Sequence, residues 1–343
     1  MRKKIFLIFF ITLLISLAYL TTCLNIACLI NKEENQNNLI VNLFEKEIND
    51  AVTETKKPQI NKISENQNNK KNINNTYENN LDPVFKPGDR LIFALQSAGF
   101  SELKKSDFNI AVIDCDDSRL LDTEIRKLKE QGKSIISYLS VGEAENYRIY
   151  WQKDWKPGSP DFIEAENPAW PGNYKVRFWY QQWQEIIFSK IDEIVHLGYD
   201  GVYLDVIDAY EYFEDKGSNV LDYVNPKIEM VEFVKAISLR AKTINPQFLI
   251  IPQNAEELLH EKGYIEAIDG LGRESLWFEK NKRIENVIMS EILNNLIYAK
   301  YNGKFIFAIS YVNDKNLAGE FLQLCSIYGF ISYIGPLELN LIE

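Results

Sequence analysis

Acidic and amide side chains recur directly after short apolar segments of this sequence. The segment GVYLD ends in Asp205, and Glu274 ends a second segment, DGLGRE. Such apolar runs are typical of buried parallel strands, and the carboxyl ends of barrel strands gather at one face. A pair of carboxylates there could serve as acid and as nucleophile or base for cleaving a glycosidic bond. The side chains in this position are Gln96, Asp114, Asp116, Asp117, Glu143, Glu145, Asp205, Asp208, Gln253, Asn254, Glu274, Asn313 and Asp314.

Each of these residues also has a structural interpretation. Asp116, Asp117 and Asp314 precede helical segments, so we expect them to cap helices rather than to bind substrate. Asp205 or Glu274, taken alone, could equally well form a structural ion pair. Their recurrence at successive strand ends favours catalysis by the pair.

Histidine chemistry is excluded by the residue inventory. The chain has two histidines, His196 and His260, and both fall in segments predicted to be helices outside the sheet. A Ser-His-Asp or Cys-His site therefore has no base, and a histidine-ligated zinc site has no ligands. An all-carboxylate metal site remains an alternative, but we predict no metal and no cofactor. Cys115, expected in a strand, and Cys325, expected in a helix, are predicted to be free thiols.

Strand-like and helix-like segments alternate along residues 85–343. This pattern predicts an α/β fold, a (β/α)8 TIM barrel of 259 residues, with parallel strands and the functional residues at one end. An open doubly wound sheet is the alternative, disfavoured because no glycine-rich phosphate loop follows any strand. The predicted strands are Arg90–Ala98, Asn109–Asp116, Ser134–Val141, Gly201–Asp205, Phe248–Pro252, Asp269–Glu274, Phe305–Val312 and Phe330–Ile334. The main predicted helices are Asp122–Gly132, Trp179–Leu197, Lys227–Ile244, Ala255–Lys262, Ile284–Tyr301 and Leu317–Tyr328.

One connection, residues 143–178, is much longer than the others and rich in tryptophan. Loops of this length in compact domains are usually functional. Trp151, Trp155 and Trp170, together with Trp277, could stack on sugar rings, or could pack within the protein.

The first 84 residues differ in composition from the rest. Residues 1–30 begin with Arg2, Lys3 and Lys4 and continue without charge through Ile30, which predicts an export signal or membrane anchor. It could be cleaved, lipidated at Cys28 or retained as the membrane attachment. Residues 31–84 are rich in asparagine and predict a disordered linker. We therefore expect an extracellular or cell-surface protein.

The predicted domain is acidic. Residues 85–343 contain 28 Lys and Arg against 40 Asp and Glu, a difference of −12. This balance argues against nucleic acid as a partner. It suits a cationic or neutral substrate, although solubility alone would also explain it. We expect a monomer.

Several spaced motifs resemble glycoside hydrolase family 114. They are SYLSVGEAE followed by Tyr147-Arg148, then NPAWPGNY, then GYDGVYLD followed by Asp208-Ala209-Tyr210. Pro252-Gln253-Asn254 and the segment from Asp269 to Leu276 extend the resemblance over roughly residues 90–335. The resemblance implies a (β/α)8 barrel with endo-α-1,4-polygalactosaminidase activity on a polysaccharide.

The resemblance also implies roles for residues. Asp205 would be the nucleophile or base and Glu274 the acid. An acidic site would suit the ammonium groups of galactosamine. The alternative is a surface carbohydrate-binding barrel without catalysis. The residues expected to bind or position substrate are Asp114, Tyr138, Glu143, Arg148, Asp208, Asn254, Trp170 and Tyr311.

Overall fold

The structure is a computed structural model that describes residues 84–96, 98–215, 224–337 and 339. The expected export segment, residues 1–30, and all but the last residue of the expected linker lie outside these ranges. Within the described ranges, no helix is long and apolar enough to cross a bilayer.

The apolar segments of the sequence form strands, and helices connect most of them. The described strands are β1 (Leu91–Ala94), β2 (Ile110–Asp114), β3 (Ser134–Ser140), β4 (Glu143–Glu145), β5 (Ile163–Glu166), β6 (Asn173–Val176), β7 (Gly201–Asp205), β8 (Leu249–Pro252), β9 (Gly270–Arg273), β10 (Phe278–Glu279), β11 (Lys282–Arg283), β12 (Phe305–Ser310) and β13 (Ile331–Ile334). The described helices are α1 (Phe100–Lys105), α2 (Cys115–Ser118), α3 (Asp122–Lys129), α4 (Gln181–Leu197), α5 (Ala209–Asp215), α6 (Pro226–Ile244), a 3-10 helix (Glu256–His260), α7 (Tyr264–Ala267), α8 (Asn286–Tyr301) and α9 (Lys315–Tyr328).

Eight parallel strands form the centre of the fold in the part of the chain that the structure describes. One sheet has the order β1-β2-β3-β7-β8, and a second has the order β9-β12-β13. A parallel bridge between Gln253 and Gly272 joins β8 to β9. The spatial order therefore follows the chain order without a reversal. This confirms the expected α/β fold with parallel strands and excludes a doubly wound sheet, whose strand order reverses.

Side chains alternate between two apolar cores along each central strand. An inner core lies between the strands and includes Phe93, Val112, Tyr203, Ile251 and Ile309. An outer core, formed by the intervening strand residues and the helices, buries among others Ile113, Val202, Trp183, Ile187 and Phe233. This period of two is the geometric property that places the functional residues.

The long connection after β3 contains a small antiparallel sheet that the sequence pattern did not predict. Its order is β4-β6-β5, and it pairs Glu143 with Lys175 and Glu145 with Asn173. Trp151 and Trp155 pack against each other, with ring centroids 5.4 Å apart, and both contact the outer core. The connection is therefore a built subdomain with its own aromatic packing.

Two local predictions need correction and one is confirmed. Cys115 does not lie in a strand, since β2 ends at Asp114 and Cys115 begins α2. Most predicted strands are also shorter than expected, at one end or at both. Cys115 and Cys325 are free, buried thiols, as expected.

Candidate active site

The strand alternation brings polar side chains to the carboxyl end of the inner core. Near the carboxyl end of five strands, one side chain belongs to the inner core. These side chains are Val112, Ile136, Tyr203, Ile251 and Ile309. Because strand side chains repeat with a period of two, the next side chains on the same face are polar. They are Asp114, Tyr138, Asp205, Gln253 and Tyr311, and Glu274 follows Gly272 in the same way.

Asp205 ends β7 and is partly exposed. The Tyr138 hydroxyl donates to its Oδ2 at 2.6 Å, and the Val206 backbone N–H donates to its Oδ1 at 2.8 Å. Each carboxylate oxygen therefore has one donor. Burial, followed by the charge of Glu274, raises the pKa of Asp205 to about 7, although both hydrogen bonds act in the opposite direction.

Glu274 directly follows β9 and is also partly exposed. Its Oε2 accepts a hydrogen bond from Gln253 Nε2 at 2.5 Å, and the Tyr311 hydroxyl donates to its Oε1. The Asn254 side chain accepts from the Glu274 backbone N–H at 3.1 Å. Burial raises the pKa of Glu274, while Tyr311, Asn254 and Arg273 lower it. Both carboxylate oxygens and the backbone N–H of Glu274 thus form hydrogen bonds with polar side chains.

The structure brings Asp205 and Glu274 together. The charge of Glu274 is the second largest cause of the raised pKa of Asp205. A pair of carboxyl groups that interact in this way gives up its protons in coupled steps. Two close carboxyl groups that hold one proton can supply an acid and a nucleophile or base at the same time.

Asp208 is a third acidic group beside this pair. Burial raises its pKa, Lys175 lowers it, and Glu143 raises it. Its charge also raises the pKa of Asp205 and of Glu274. Asp208 therefore interacts electrostatically both with the pair and with Lys175 and Glu143 of the small antiparallel sheet.

Glu143 is buried at the base of that sheet, with 2% of its surface exposed. Lys175 Nζ pairs with its Oε1 at 2.6 Å, and Asn167 donates to the same oxygen at 2.8 Å. These partners tie β4 to β6 beside Asp208.

Arg148 and Asp114 lie in a buried ion network at the neighbouring strand ends. Arg148 Nη1 is 2.7 Å from Asp114 Oδ2, and its Nε is 2.6 Å from Glu145 Oε2. Asp116 contacts Arg148 at 3.3 Å and Lys190 at 2.7 Å. The network anchors the long connection to the ends of β2 and β4. A direct role of Asp114 and Arg148 in substrate binding stays a prediction.

The predicted caps have different outcomes. Asp314 caps α9 by accepting from the Asn316 and Leu317 backbone N–H groups, as expected. The cap of α2 is Asp114, so the prediction for Asp116 and Asp117 is wrong. A cap must precede the first helical turn, and the helix begins one residue before Asp116.

The predicted aromatic platforms separate into two groups. Trp170 is half exposed and lies in the turn between β5 and β6, where its backbone N–H donates to Asn167 O. Trp277 is 4% exposed and packs on Phe321 and Phe330, so its ring is not available to a sugar.

The loops that follow the strand ends contain unusual backbone conformations. Val206, Asn254 and Ser275 have positive φ angles of 60°, 59° and 50°. Such conformations cost roughly 1–3 kcal/mol each, most for a β-branched residue such as Val206, and they cluster at functional sites. Gly142 allows the Val206 loop to approach, since a Cβ at Gly142 would lie 2.6 Å from the Cβ of Ala209.

The strand-end pattern contained Glu145 and Gln253 but did not assign them to the site, and Arg273 and Lys175 carried no signal of their own. Arg273 Nη1 donates to Asn254 Oδ1 at 3.1 Å and to the Glu274 backbone carbonyl at 2.8 Å. Only spatial proximity identifies such partners.

In the described ranges, no group of three or more His, Cys, Asp or Glu residues could hold a metal ion. Both histidines are exposed on outer helices.

Two solved structures are similar in fold. The glycoside hydrolase domain of PelA from Pseudomonas aeruginosa aligns with a TM-score of 0.58 at 15% identity, covering 75% of this chain and 97% of that one. Ega3 of Aspergillus fumigatus, solved in complex with galactosamine, aligns with a TM-score of 0.55 at 21% identity, covering 74% and 94%.

Sequence relatives and a family profile show the family. An uncharacterized protein of Thermotoga maritima is 35% identical over 273 residues, 76% of this chain and 84% of the relative. The uncharacterized protein MJ1477 of Methanocaldococcus jannaschii is 34% identical over 295 residues, 80% and 84% of the two chains. The profile of glycoside-hydrolase family GH114 matches residues 74–339. This chain therefore belongs to glycoside-hydrolase family GH114.

Proposed function

We propose that the protein is a glycoside hydrolase that cleaves an amino-sugar polysaccharide of the polygalactosamine type, with endo-α-1,4-polygalactosaminidase-like activity. We further propose that its eight parallel strands close into a (β/α)8 barrel with Asp205 and Glu274 as the catalytic pair. One observation carries the proposal: in a chain of this family, Asp205 and Glu274 are partly exposed and electrostatically coupled at one end of the parallel strands.

The reaction follows from the two carboxyl groups. Glu274, once it holds the proton of the coupled pair, donates it to the oxygen of the glycosidic bond as that bond breaks. Asp205, ionised, attacks the sugar carbon or activates the water that attacks it. Tyr138 and Tyr311 each donate a hydrogen bond to one member of the pair, which orients both side chains. This chemistry requires no cofactor.

The charge around the pair supports an amino sugar as substrate. Asp208 is a carboxylate beside the pair, and burial raises its pKa. A substrate ammonium group would relieve the repulsion among Asp205, Asp208 and Glu274, because an opposite charge favours the ionised carboxylates. Asp208 is therefore the proposed contact for the amine. Trp170, exposed on the turn of the small sheet, is the proposed stacking surface for a sugar further along the chain.

The remaining contacts with substrate are assigned by position. Asn254 lies between Arg273 and the backbone N–H of Glu274. Glu143, Arg148 and Asp114 take part in ion networks at the neighbouring strand ends, and we propose that they shape the site. We also propose an exported monomer, with residues 1–30 as signal or membrane anchor.

Cleavage of a defined polymer tests the proposal. The protein would be incubated with de-N-acetylated α-1,4-galactosamine polymer, and new reducing ends would be measured. We expect activity in the wild type, a loss of at least about a thousandfold in Asp205→Asn, and a loss of about 10²–10⁴-fold in Glu274→Gln. Asp161→Asn, at an exposed position, is the matched control and should remain active.

The result also separates catalysis from binding alone. A wild-type protein that binds the polymer but releases no reducing ends would identify a carbohydrate-binding barrel. If Asp205→Asn retained wild-type turnover, the pair would not be catalytic.

A further inference from the structure

Tyr203 lies in the inner core, on the same strand as Asp205 of the proposed catalytic pair. It lies in β7 two residues before Asp205, so both side chains point to the inner core. The side chain is fully buried, and its ring packs edge-on against Phe93 with centroids 5.3 Å apart. The ring thus has a fixed position below Asp205.

The phenol of Tyr203 extends across the inner core to β9. A Cβ placed on Gly272 would lie 2.6 Å from Cε2 and Cζ of Tyr203 and closer still to the hydroxyl oxygen. The hydroxyl therefore rests against the backbone of Gly272, two residues before Glu274. Glycine at this position makes room for the hydroxyl below both carboxyl groups.

This hydroxyl is buried and has no hydrogen-bond partner among the described residues. A buried hydroxyl without a partner costs roughly 1–3 kcal/mol, so phenylalanine would be the more stable choice if the ring only filled space. The charged and titratable groups facing it are Glu274, Asp205, Tyr311 and Arg273, in that order of electrostatic influence. Burial and the carboxylates raise the pKa of Tyr203, so the phenol stays protonated and can donate.

We propose that Tyr203 is a positioning residue whose hydroxyl holds one ordered water against the Asp205–Glu274 pair and through it donates a hydrogen bond to Glu274. Glu274, Asp205 and Tyr311, which face the hydroxyl, offer the two to four polar partners that a buried water takes. The bridge stabilises the Glu274 carboxylate that forms when the proton leaves. This inference rests on the proposed function for its catalytic consequence but not for the water itself.

Tyr333 provides a matched control. It also belongs to the inner core, contacts Phe93 with centroids 4.9 Å apart, and has a buried hydroxyl without a partner among the described residues. Burial alone raises the pKa of Tyr333 to about 12, with no contribution from either carboxylate. Tyr333→Phe thus removes a buried hydroxyl oxygen from the same core, but one on which neither carboxylate acts.

The first measurement requires no substrate. Carbon-13 NMR titration of the carboxyl groups in the full chain should show the apparent pKa of the pair rising by about 0.5 or more in Tyr203→Phe, because a donor to the charged form is lost. Tyr333→Phe should titrate as the wild type does. A wild-type titration in Tyr203→Phe, or equal shifts in both variants, would overturn the inference.

The second and third measurements address turnover and the water. With galactosamine polymer, Tyr203→Phe should lower kcat about tenfold with KM little changed, the loss of one hydrogen bond to a charged group. A high-resolution crystal structure of the wild type should show a water 2.6–3.2 Å from Tyr203 Oη. If Tyr203→Phe does not fold, this structure decides: an occupied water position supports the inference, and an empty one overturns it. If the wild type cleaves no polymer, the proposed function fails while the titration and the crystal structure still decide on the water.

Discussion

Replacing Asp205 by asparagine should make the folded protein more stable at alkaline than at acidic pH, relative to the wild type. Asparagine has nearly the same shape as aspartate but cannot ionise. The wild-type carboxyl has its pKa raised from 3.8 to about 7 by burial and by Glu274. Above the higher value the folded protein must hold a charge that its surroundings disfavour.

The sign follows from proton linkage. Between pH 3.8 and about pH 7 the folded state binds more protons at this site than the unfolded state does. Wild-type stability from this group is therefore greatest below pH 3.8 and is lost as the pH rises through about 7. The full shift corresponds to roughly 4 kcal/mol. Because the side chain is partly exposed and shares its proton with Glu274, we expect about half of that, on the order of 2 kcal/mol.

The substitution Asp205→Asn also removes one hydrogen bond, which lowers the free energy of unfolding of the variant. Asp205 accepts from Tyr138 and Val206 through different oxygens, and asparagine has one acceptor oxygen. The lost bond costs about 1 kcal/mol at both pH values. The quantity to compare is therefore the change with pH in the stability difference between variant and wild type.

Urea unfolding followed by tryptophan fluorescence would measure this difference at pH 4 and at pH 8. We expect the stability of Asp205→Asn relative to the wild type to increase by about 2 kcal/mol between the two conditions. Asp161→Asn, at an exposed position, is the control and should show no such change. A difference that is independent of pH, or that decreases toward pH 8, would refute the electrostatic account of the pair.

Three further substitutions test other parts of the structure. Glu274→Gln should lower kcat/KM on polymer about 10²–10⁴-fold but far less on an aryl glycoside with a good leaving group; equal losses would contradict its role as the acid. Arg148→Met should lower the free energy of unfolding measured in urea by about 3–5 kcal/mol, because Asp114 and Glu145 would be left buried without their cation. A decrease of less than about 1 kcal/mol would show that the network does not stabilise the fold. Trp170→Ala should change the free energy of unfolding by no more than about 0.5 kcal/mol, since the ring is half exposed. The same variant should keep the wild-type kcat but have a higher KM for long polymer. An unchanged KM would show that Trp170 is not part of the binding surface.

Strand patterning is local, and this explains why the strands and their order were predictable. Apolar runs that end in polar residues mark strands, and parallel strands joined by helices must present their carboxyl ends on one side. Asp205 and Glu274 therefore came together as expected, with Tyr138, Gln253 and Tyr311 brought alongside by the same alternation. The prediction that Asp314 caps α9 held for a similar reason, since a cap depends on the adjacent residues alone.

Predictions that depended on where a chain segment stops were less accurate. Asp116 was expected to be a cap, but α2 begins one residue earlier, so Asp114 caps it and Asp116 pairs with Arg148 and Lys190. Trp277 was a candidate sugar platform, but it is buried against Phe321 of α9 and against Phe330, which directly precedes β13. The first difference depends on the residue at which the helix begins, and the second results from contacts with distant segments.

The sequence by itself determined the strand order, the family resemblance and the pair of acids at the strand ends, because these follow from short-range periodicity and contiguous motifs. Only the tertiary structure decided which charges are neutralised and which hydroxyls are left without partners. Arg148 binds acids from two strand ends, Lys175 pairs with Glu143 across the small sheet, and Tyr203 fits only because Gly272 faces it. Burial and charge pairing depend on residues that are distant in the chain and adjacent in space, which no local pattern encodes.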